Sequence, residues 1–532
     1  MLCYTGLSMR YFLAFSYNMH DSSVSIADEN RVLLVLEAER FYGEKKKRCD
    51  KREMETLIDV ALRHCNISIK DVEGVACTAY LNEHLPENQR DVEWLIEGQV
   101  EIAGRKFDVP VLNHHLAHAA MAHAFVGQAR QGAPFRADDI AIDVCDGGGD
   151  FGHTHFVYRC RNNRIEALPS QPIHQAFSSR FYDVVSRYLY GRMMSEGKLM
   201  ALASLGEPRP EMMTFIRDHL PMFHDLRHDE AFAALRRHYP VDNYLNSRTA
   251  FDLAASTQRL FEDLRVESVA ALPKDAPTVM LAGGATLNIV ANARVKQLLA
   301  PKRQLLVPPC CDDTGQSLGA LLYYCYERAN LFVTADMPFL GYSDRIDERE
   351  LGADEASDEL VSVLGSGGIV FLHRGQSEIG PRALGHRSIL ALPTRKNFDL
   401  INHVIKQREF YRPLAPLVPS ESASDWFEWQ GESKYMLYAA KVTEKSRLLA
   451  PGICHYDDSA RLQTIDRAED PFLHRLLQRI GQATGCPLSI NTSLNPRGAP
   501  ILSKIEATRA FAASMRGLNV RVFHEGRLLP VG

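Results

Sequence analysis

Short apolar runs that stop on a glycine- or aspartate-bearing turn and then pass into helical spacing recur along this chain. Ile140–Cys145 runs into Asp146-Gly147-Gly148-Gly149-Asp150, Val279–Leu281 into Ala282-Gly283-Gly284, and Gln304–Val307 into a turn that ends at Asp312-Asp313. Runs of about four to eight apolar residues have strand length rather than helix length. Strands that alternate with helices build an α/β sheet whose carboxyl ends open on a ligand crevice. The chain begins with a hairpin-rich pattern: Tyr11–Phe15, a polar turn at 17–23, Val24–Ala27 and Val32–Glu37. Met54, Leu57, Ile58, Val60, Ala61 and Leu62 then carry helical spacing over 53–65, and a strand-like Gly74–Ala79 follows.

A chain of 532 residues outgrows a single hydrophobic core, so two or three domains are expected. The passage 329–365 is charge-rich between Asp344 and Asp358, and a new strand starts at Gly368; the boundary is placed at 365/366, giving segments 1–365 and 366–532. No internal repeat is visible. A net charge of -5 supplies no polybasic surface for nucleic acid. The 11 cysteines form no CxxC pair, which suits reduced thiols in the cytoplasm. No apolar run reaches the roughly 18–20 residues of a membrane helix, and no signal h-region is present. Residues 1–8, ahead of Met9, read as an upstream-start extension or a frayed end.

His114 and His118, in the string HHLAH, stand four residues apart, so on a helix both imidazoles share one face and can grip one ion. A pair of structural histidines at a helix start is the alternative. Asp146 ends an apolar strand before three glycines, where it points into the crevice. Asp313 precedes the apolar run Leu318–Tyr323; it is a ligand or an N-cap. Two imidazoles and two carboxylates suit divalent Fe, Mn or Zn better than Ca or Mg.

Gly283 and Gly284 can offer backbone N–H groups to a phosphate, although a two-glycine turn is also simply a turn. A stronger cluster lies near the C-terminus. The strings GPRALGHRS (380–388), KQREFYRPLAP (406–416) and HYDDSARLQT (455–464) set Arg382, Arg387, Lys406, Arg408, Arg412 and Arg461 among Gly, Pro and apolar residues. Cations in such surroundings point to a converging anion pocket.

With these residues assembled, the chain resembles the NodU/CmcH family of carbamoyltransferases from about Tyr11 to Arg521. The strings that carry the resemblance are NMHDSS, LEAERF, HHLAH, the Asp146-Gly147 pair, EGKLMALASLG, AGGATLN, DTGQSLGA, GPRALGHRS, KQREFYRPLAP, ARLQT and NTSLN, in that order. The resemblance implies an N-terminal actin-like (ASKHA) domain similar to TsaD proteins and a C-terminal α/β domain of the YrdC type. It implies ATP and carbamoyl phosphate as co-substrates, with Mg2+ accompanying ATP, and a divalent metal, commonly iron, on His114, His118, Asp146 and Asp313. His20 falls on the active-site histidine beside the acceptor, with a turn-stabilising role as its alternative, and Lys45 on a basic acceptor contact. Gly283, Gly284, Asn288, Gly315 and Asn491 fall in its nucleotide and cofactor motifs. Arg382, Lys406, Arg412 and Arg461 fall on its carbamoyl phosphate and adenylate pocket. The chain departs from the family at Gly149-Asp150, where Gly-Glu is usual, at NTSLN for NTSFN, at Ala499, and in a longer stretch between Ala124 and Asp139.

The activity so implied is transfer of a carbamoyl group, through carbamoyl adenylate, to the hydroxyl of a small molecule in natural-product or saccharide tailoring. Expected partners are that acceptor, no nucleic acid and no membrane, with a homodimer as the one assembly in view. Two other readings stand beside it: a threonylcarbamoyl-type tRNA modification enzyme, and a non-catalytic nucleotide-binding actin-like module.

Overall fold

The computed structural model describes residues 9–18, 20–79, 95–129, 139–161, 164–169, 179–224, 228–344 and 353–529. Residues 1–8, and 130–138 of the longer stretch after Ala124, lie outside them. The first sheet holds β1 (Tyr11–Tyr17), β2 (Ser23–Asp28), β3 (Val32–Glu37), β4 (Val72–Ala79), β5 (Leu95–Ile102) and β6 (Arg105–Leu112), in the order β3-β2-β1-β4-β6-β5. The second holds β7 (Ile140–Cys145), β8 (His155–Arg161), β9 (Arg164–Ala167), β10 (Thr278–Ala282) and β11 (Gln304–Leu306), in the order β11-β10-β7-β8-β9.

Both sheets use one plan. An antiparallel meander of three strands (β1-β2-β3, β7-β8-β9) is extended from its first strand by two parallel strands (β4 and β6, β10 and β11). A topological repeat therefore exists where the sequence shows none, because strand order depends on the placement of apolar runs and turns rather than on shared residues. Alternate residues of β1 enter opposite cores: Phe12 and Ala14 face one, Leu13 and Phe15 the other. A strand covered on both faces reads as a continuous apolar run.

Each plan ends in a helix, His114–Ala129 after β6 and Gln316–Glu327 after β11, and the two helices pack together between the sheets. Gly319 is where they approach most closely, since a Cβ there would lie 2.0 Å from the Ala117 carbonyl oxygen. Gly319→Ala is expected to force the helices apart at a cost of about 1–3 kcal/mol and to lower the thermal unfolding midpoint; an unchanged midpoint would mean the contact relaxes freely. A helical layer that includes Arg180–Tyr190 and Arg248–Ala270 is inserted between β9 and β10, around its own core of Phe181, Val184, Leu253 and Leu260.

The C-terminal part is built on a seven-stranded mixed sheet, β18-β14-β19-β13-β12-β20-β21. Its strands are β12 (Ile369–His373), β13 (Arg387–Ala391), β14 (Ala415–Pro419), β18 (Gln463–Ile465), β19 (Ser489–Ser493), β20 (Val520–His524) and β21 (Arg527–Leu529). A small antiparallel sheet, β15 (Phe427–Glu428), β16 (Ala439–Val442) and β17 (Ser459–Arg461), leans on it. The helix Ala353–Gly365, which precedes the expected boundary, puts Leu360 and Leu364 into the same core as Val370, Leu372 and Leu473. Among the described residues, no helix is long and apolar enough to cross a membrane, and every cysteine is a free thiol.

Candidate active site

The helix His114–Ala129 starts under firm control. Asn113 Oδ1 accepts the N–H of His115 at 2.9 Å, and the buried Asp150 carboxylate accepts the N–H of His114 at 2.7 Å. Negative charge suits a helix N-terminus, so the Asp150 that replaces the family's Glu anchors the turn from which both histidines project. His114 and His118 lie one turn apart, with ring centroids 4.8 Å apart. Asp313 Oδ1 is 3.4 Å from His114 Nε2 and 3.3 Å from His118 Nε2, and Asp146 Oδ2 is 3.4 Å from His118 Nε2. The ligand atoms of all four residues fall within 4.8 Å of one another.

Two buried imidazoles and two carboxylates within reach of one point form a donor set that fits a divalent cation. The electrostatics agree. Burial resists protonation of His118, yet Asp146 and Asp313 raise it to about 9. Burial likewise resists ionisation of Asp313, yet the imidazoles of His114, His118 and His20 hold its carboxyl well below the usual carboxylate range. A pocket that draws in protons this way also draws in a metal ion. The capping alternative for Asp313 belongs to its neighbour: Asp312 Oδ1 accepts from the Thr314 N–H and hydroxyl.

The glycine turn lies against this cluster. The Gly283 N–H donates to the Cys311 carbonyl at 2.7 Å, and the Gly284 N–H donates to Asp146 Oδ2 at 2.6 Å. Gly283 has φ +87°, and a Cβ there would lie 2.2 Å from the Cys145 carbonyl oxygen, so glycine is required to bring the turn beside Asp146. Asn288 caps the helix Ile289–Leu299 and exchanges amide hydrogen bonds with Gln258. Gly315 packs against the Cys310 carbonyl oxygen. The N–H groups of Gly283 and Gly284, expected to face a phosphate, and the Asn288 amide each have a partner within the protein.

His20 adjoins the cluster, its Nδ1 3.0 Å from Asp21 Oδ2 and 3.3 Å from Asp313 Oδ2. Burial opposes its protonation, but the hydrogen bond to Asp21 and the charge of Asp313 outweigh that and raise it to about 9. The lysine that reaches this group is Lys46, whose Nζ lies 2.5 Å from Asp21 Oδ2. Lys45, expected beside the acceptor histidine, instead lines a separate pocket of about 460 Å³ with Arg192, Lys198, Lys406, Arg408, Arg412 and Arg497. Lys46 is left-handed, with φ 57°, which turns the chain between the two lysines.

Seven cations and one carboxylate, Glu409, line that pocket. Two more lie close to it. Burial, with Arg382, Arg408 and Arg412 nearby, pushes Arg461 well below its ordinary value, and burial also lowers Arg382. The Nε atoms of Arg382 and Arg461 are buried without a hydrogen-bond partner. Unpaired guanidinium groups packed together call for an anion. Lys406 plays a bracing part: its Nζ donates to the Ser493 carbonyl at 2.7 Å and to the Asn495 carbonyl at 3.0 Å, fixing the NTSLN loop. Asn491 is fully buried and donates to Gln463 Oε1 at 2.9 Å and to the Ala383 carbonyl at 3.0 Å, tying three motifs together. Arg387 is corrected outright. It is buried, and it donates to the carbonyls of Arg374 at 2.7 Å and Gly375 at 3.0 Å among others, so it serves the fold and not a ligand.

The two sites meet at a seam that the sequence reading missed. Glu37 pairs with Arg40 at 2.7 Å and accepts the Gly380 N–H at 2.8 Å, while Arg40 donates to the carbonyls of Glu378 and Gly380. Gly380 in turn abuts Pro309 and Cys310, in the segment that ends at Asp313. The signal was present in LEAERF: an acid and an arginine three residues apart, just after the apolar run Val32–Leu36, form a buried pair.

A cluster of imidazoles and carboxylates that could hold a cation is thus joined through one segment to a cation-lined pocket. The chain belongs to the carbamoyltransferase family: the model of the carbamoyltransferase N-terminus matches residues 94–322 and that of the carbamoyltransferase C-terminus matches residues 361–524. It is 28% identical over 538 residues to nodulation protein NolNO of Sinorhizobium fredii, covering 92% of this chain and 76% of that one. It is 29% identical to the 3'-hydroxymethylcephem-O-carbamoyltransferase of Streptomyces clavuligerus, covering 91% and 93%. Among solved structures, it is similar to the activator of 2-hydroxyisocaproyl-CoA dehydratase from Clostridium difficile at 11% identity and a TM-score of 0.33, over 60% of this chain and 96% of that one.

Proposed function

We propose that this carbamoyltransferase uses ATP to turn carbamoyl phosphate into carbamoyl adenylate and then carbamoylates a hydroxyl of a small molecule. The domain assignment of this reading is a TsaD-like, actin-like segment 1–365 for transfer and a YrdC-like segment 366–532 for adenylation, in a cytoplasmic protein that binds no nucleic acid. The observation that carries it is the pair of half-buried arginines, Arg382 and Arg461, whose Nε atoms are buried without a partner beside a cationic pocket, one segment away from the two-histidine, two-aspartate cluster.

In the cationic pocket, water cleaves carbamoyl phosphate to carbamate and inorganic phosphate. The carbamate oxygen then attacks the α-phosphorus of ATP, and pyrophosphate leaves. Arg382, Arg412 and Arg461 balance the charge that spreads over the transferring phosphoryl group, and fixed placement removes much of the entropic barrier. Transfer replaces the bond from the carbamoyl carbon to AMP with a bond to the acceptor oxygen, and AMP departs. A divalent ion, Fe2+ by family resemblance, held by His114, His118, Asp146 and Asp313 would supply Lewis acidity toward the carbonyl. His20 takes the acceptor's proton, with its ring oriented by the hydrogen bond to Asp21 and flanked by Asp313.

Incubation with ATP, carbamoyl phosphate and a panel of hydroxylated metabolites should give a product heavier by one carbamoyl group, read by mass spectrometry. His20→Asn should lower transfer roughly 10²–10⁴-fold and leave acceptor-free AMP formation intact. Equal loss of both steps would remove the role given to His20. ATP binding with no AMP formed in the presence of carbamoyl phosphate would favour a non-catalytic nucleotide-binding module.

A further inference from the structure

The turn after LEAERF sends two neighbouring lysines to two different places. Lys46 binds Asp21 next to His20. Lys45 lines the cationic pocket, whose other cations come both from the inserted helical layer (Arg192, Lys198) and from the C-terminal part (Lys406, Arg408, Arg412, Arg497). Several of those cations already have work in the protein. Lys406 is bound to the NTSLN loop, Lys198 is paired with Glu409, and Arg408 donates to Asn402 Oδ1 at 2.6 Å and to the Pro413 carbonyl at 3.1 Å. Lys45 is exposed, and among the described residues no hydrogen bond or ion pair holds it.

We infer that Lys45 is a phosphate-binding residue of the adenylate-forming pocket, contributed by the N-terminal part of the chain, and not a contact of the acceptor. The ligand is the phosphate of carbamoyl phosphate or the polyphosphate of ATP. Among its neighbours Glu39 favours the Lys45 ammonium while Arg412, Lys46 and Arg408 oppose it, and a phosphate would add charge-assisted hydrogen bonds. Partial desolvation at the pocket wall, with Arg412, Lys46 and Arg408 near, lowers its affinity for its proton. The consequence is that adenylation, assigned to the C-terminal segment, needs a side chain from outside it.

This inference rests on the proposed adenylation, and the test separates the two. AMP and pyrophosphate are measured without acceptor for the full-length chain, Lys45→Met and Lys45→Arg, with circular dichroism as the folding control. Lys45→Met should raise the KM for carbamoyl phosphate or for ATP on the order of 10- to 100-fold, Lys45→Arg should restore most of it, and the acceptor KM should stay within about twofold of wild type. Unchanged acceptor-free kinetics with a raised acceptor KM would overturn the inference, as would equal loss in both variants. If the wild-type chain makes no AMP from ATP and carbamoyl phosphate, the adenylation reading itself falls.

Discussion

Arg461→Met should stop adenylate formation and, at the same time, make the ligand-free chain harder to melt. Arg461 is half-buried near Arg382, Arg408 and Arg412, and its Nε is buried with no partner. An unpaired buried charge among like charges is unfavourable in the empty protein, and methionine keeps most of the volume of the stem. The same guanidinium faces the charge that develops during phosphoryl transfer, where loss of one preorganised donor costs about 10²–10³ in rate. Acceptor-free pyrophosphate release should therefore fall by about that factor, while the thermal midpoint measured without ligand rises. A lower midpoint with normal pyrophosphate release would show that Arg461 braces the fold.

Asp313→Asn should separate the half-reactions from the other side. Asp313 faces His114, His118 and His20 at once, and an amide cannot supply the negative charge that gathers them around a cation. Bound metal, measured on the purified chain, should drop below one equivalent. Carbamoyl transfer should fall by on the order of 10³, the several kcal/mol that Lewis-acid stabilisation supplies. Acceptor-free AMP formation should persist. Retained metal with normal transfer would exclude Asp313 from the centre.

The four candidate ligands were legible because each carries a local mark: a helical HxxxH, an aspartate at a strand end, an aspartate before a helix. Their convergence was not, since it depends on the two sheets sharing one plan and on Gly319 letting two helices touch. Arg387 and Arg461 show the limit most clearly. Arg387 follows Gly385-His386 and Arg461 lies between Ala460 and Leu462, and only the fold reveals that one meets backbone carbonyls and the other meets arginines. The surroundings of the AGGATLN turn were hidden for the same reason, because whether an N–H is open depends on what the rest of the chain brings to it, and here Cys311 and Asp146 accept from its two glycines. Lys46 escaped notice because nothing in a run of three lysines says which one a left-handed residue will turn inward.

Glu37 is a carboxyl whose burial raises it to about 8 against the pull of Arg40, and the cover over it is the loop at Gly380. Genetically severing the polypeptide between the two parts would strip that cover and hydrate both groups. It would also loosen the strand of prolines and cysteines that delivers an aspartate to the histidines. Covalent continuity between the two parts thus bears on the geometry of the two-histidine, two-aspartate cluster.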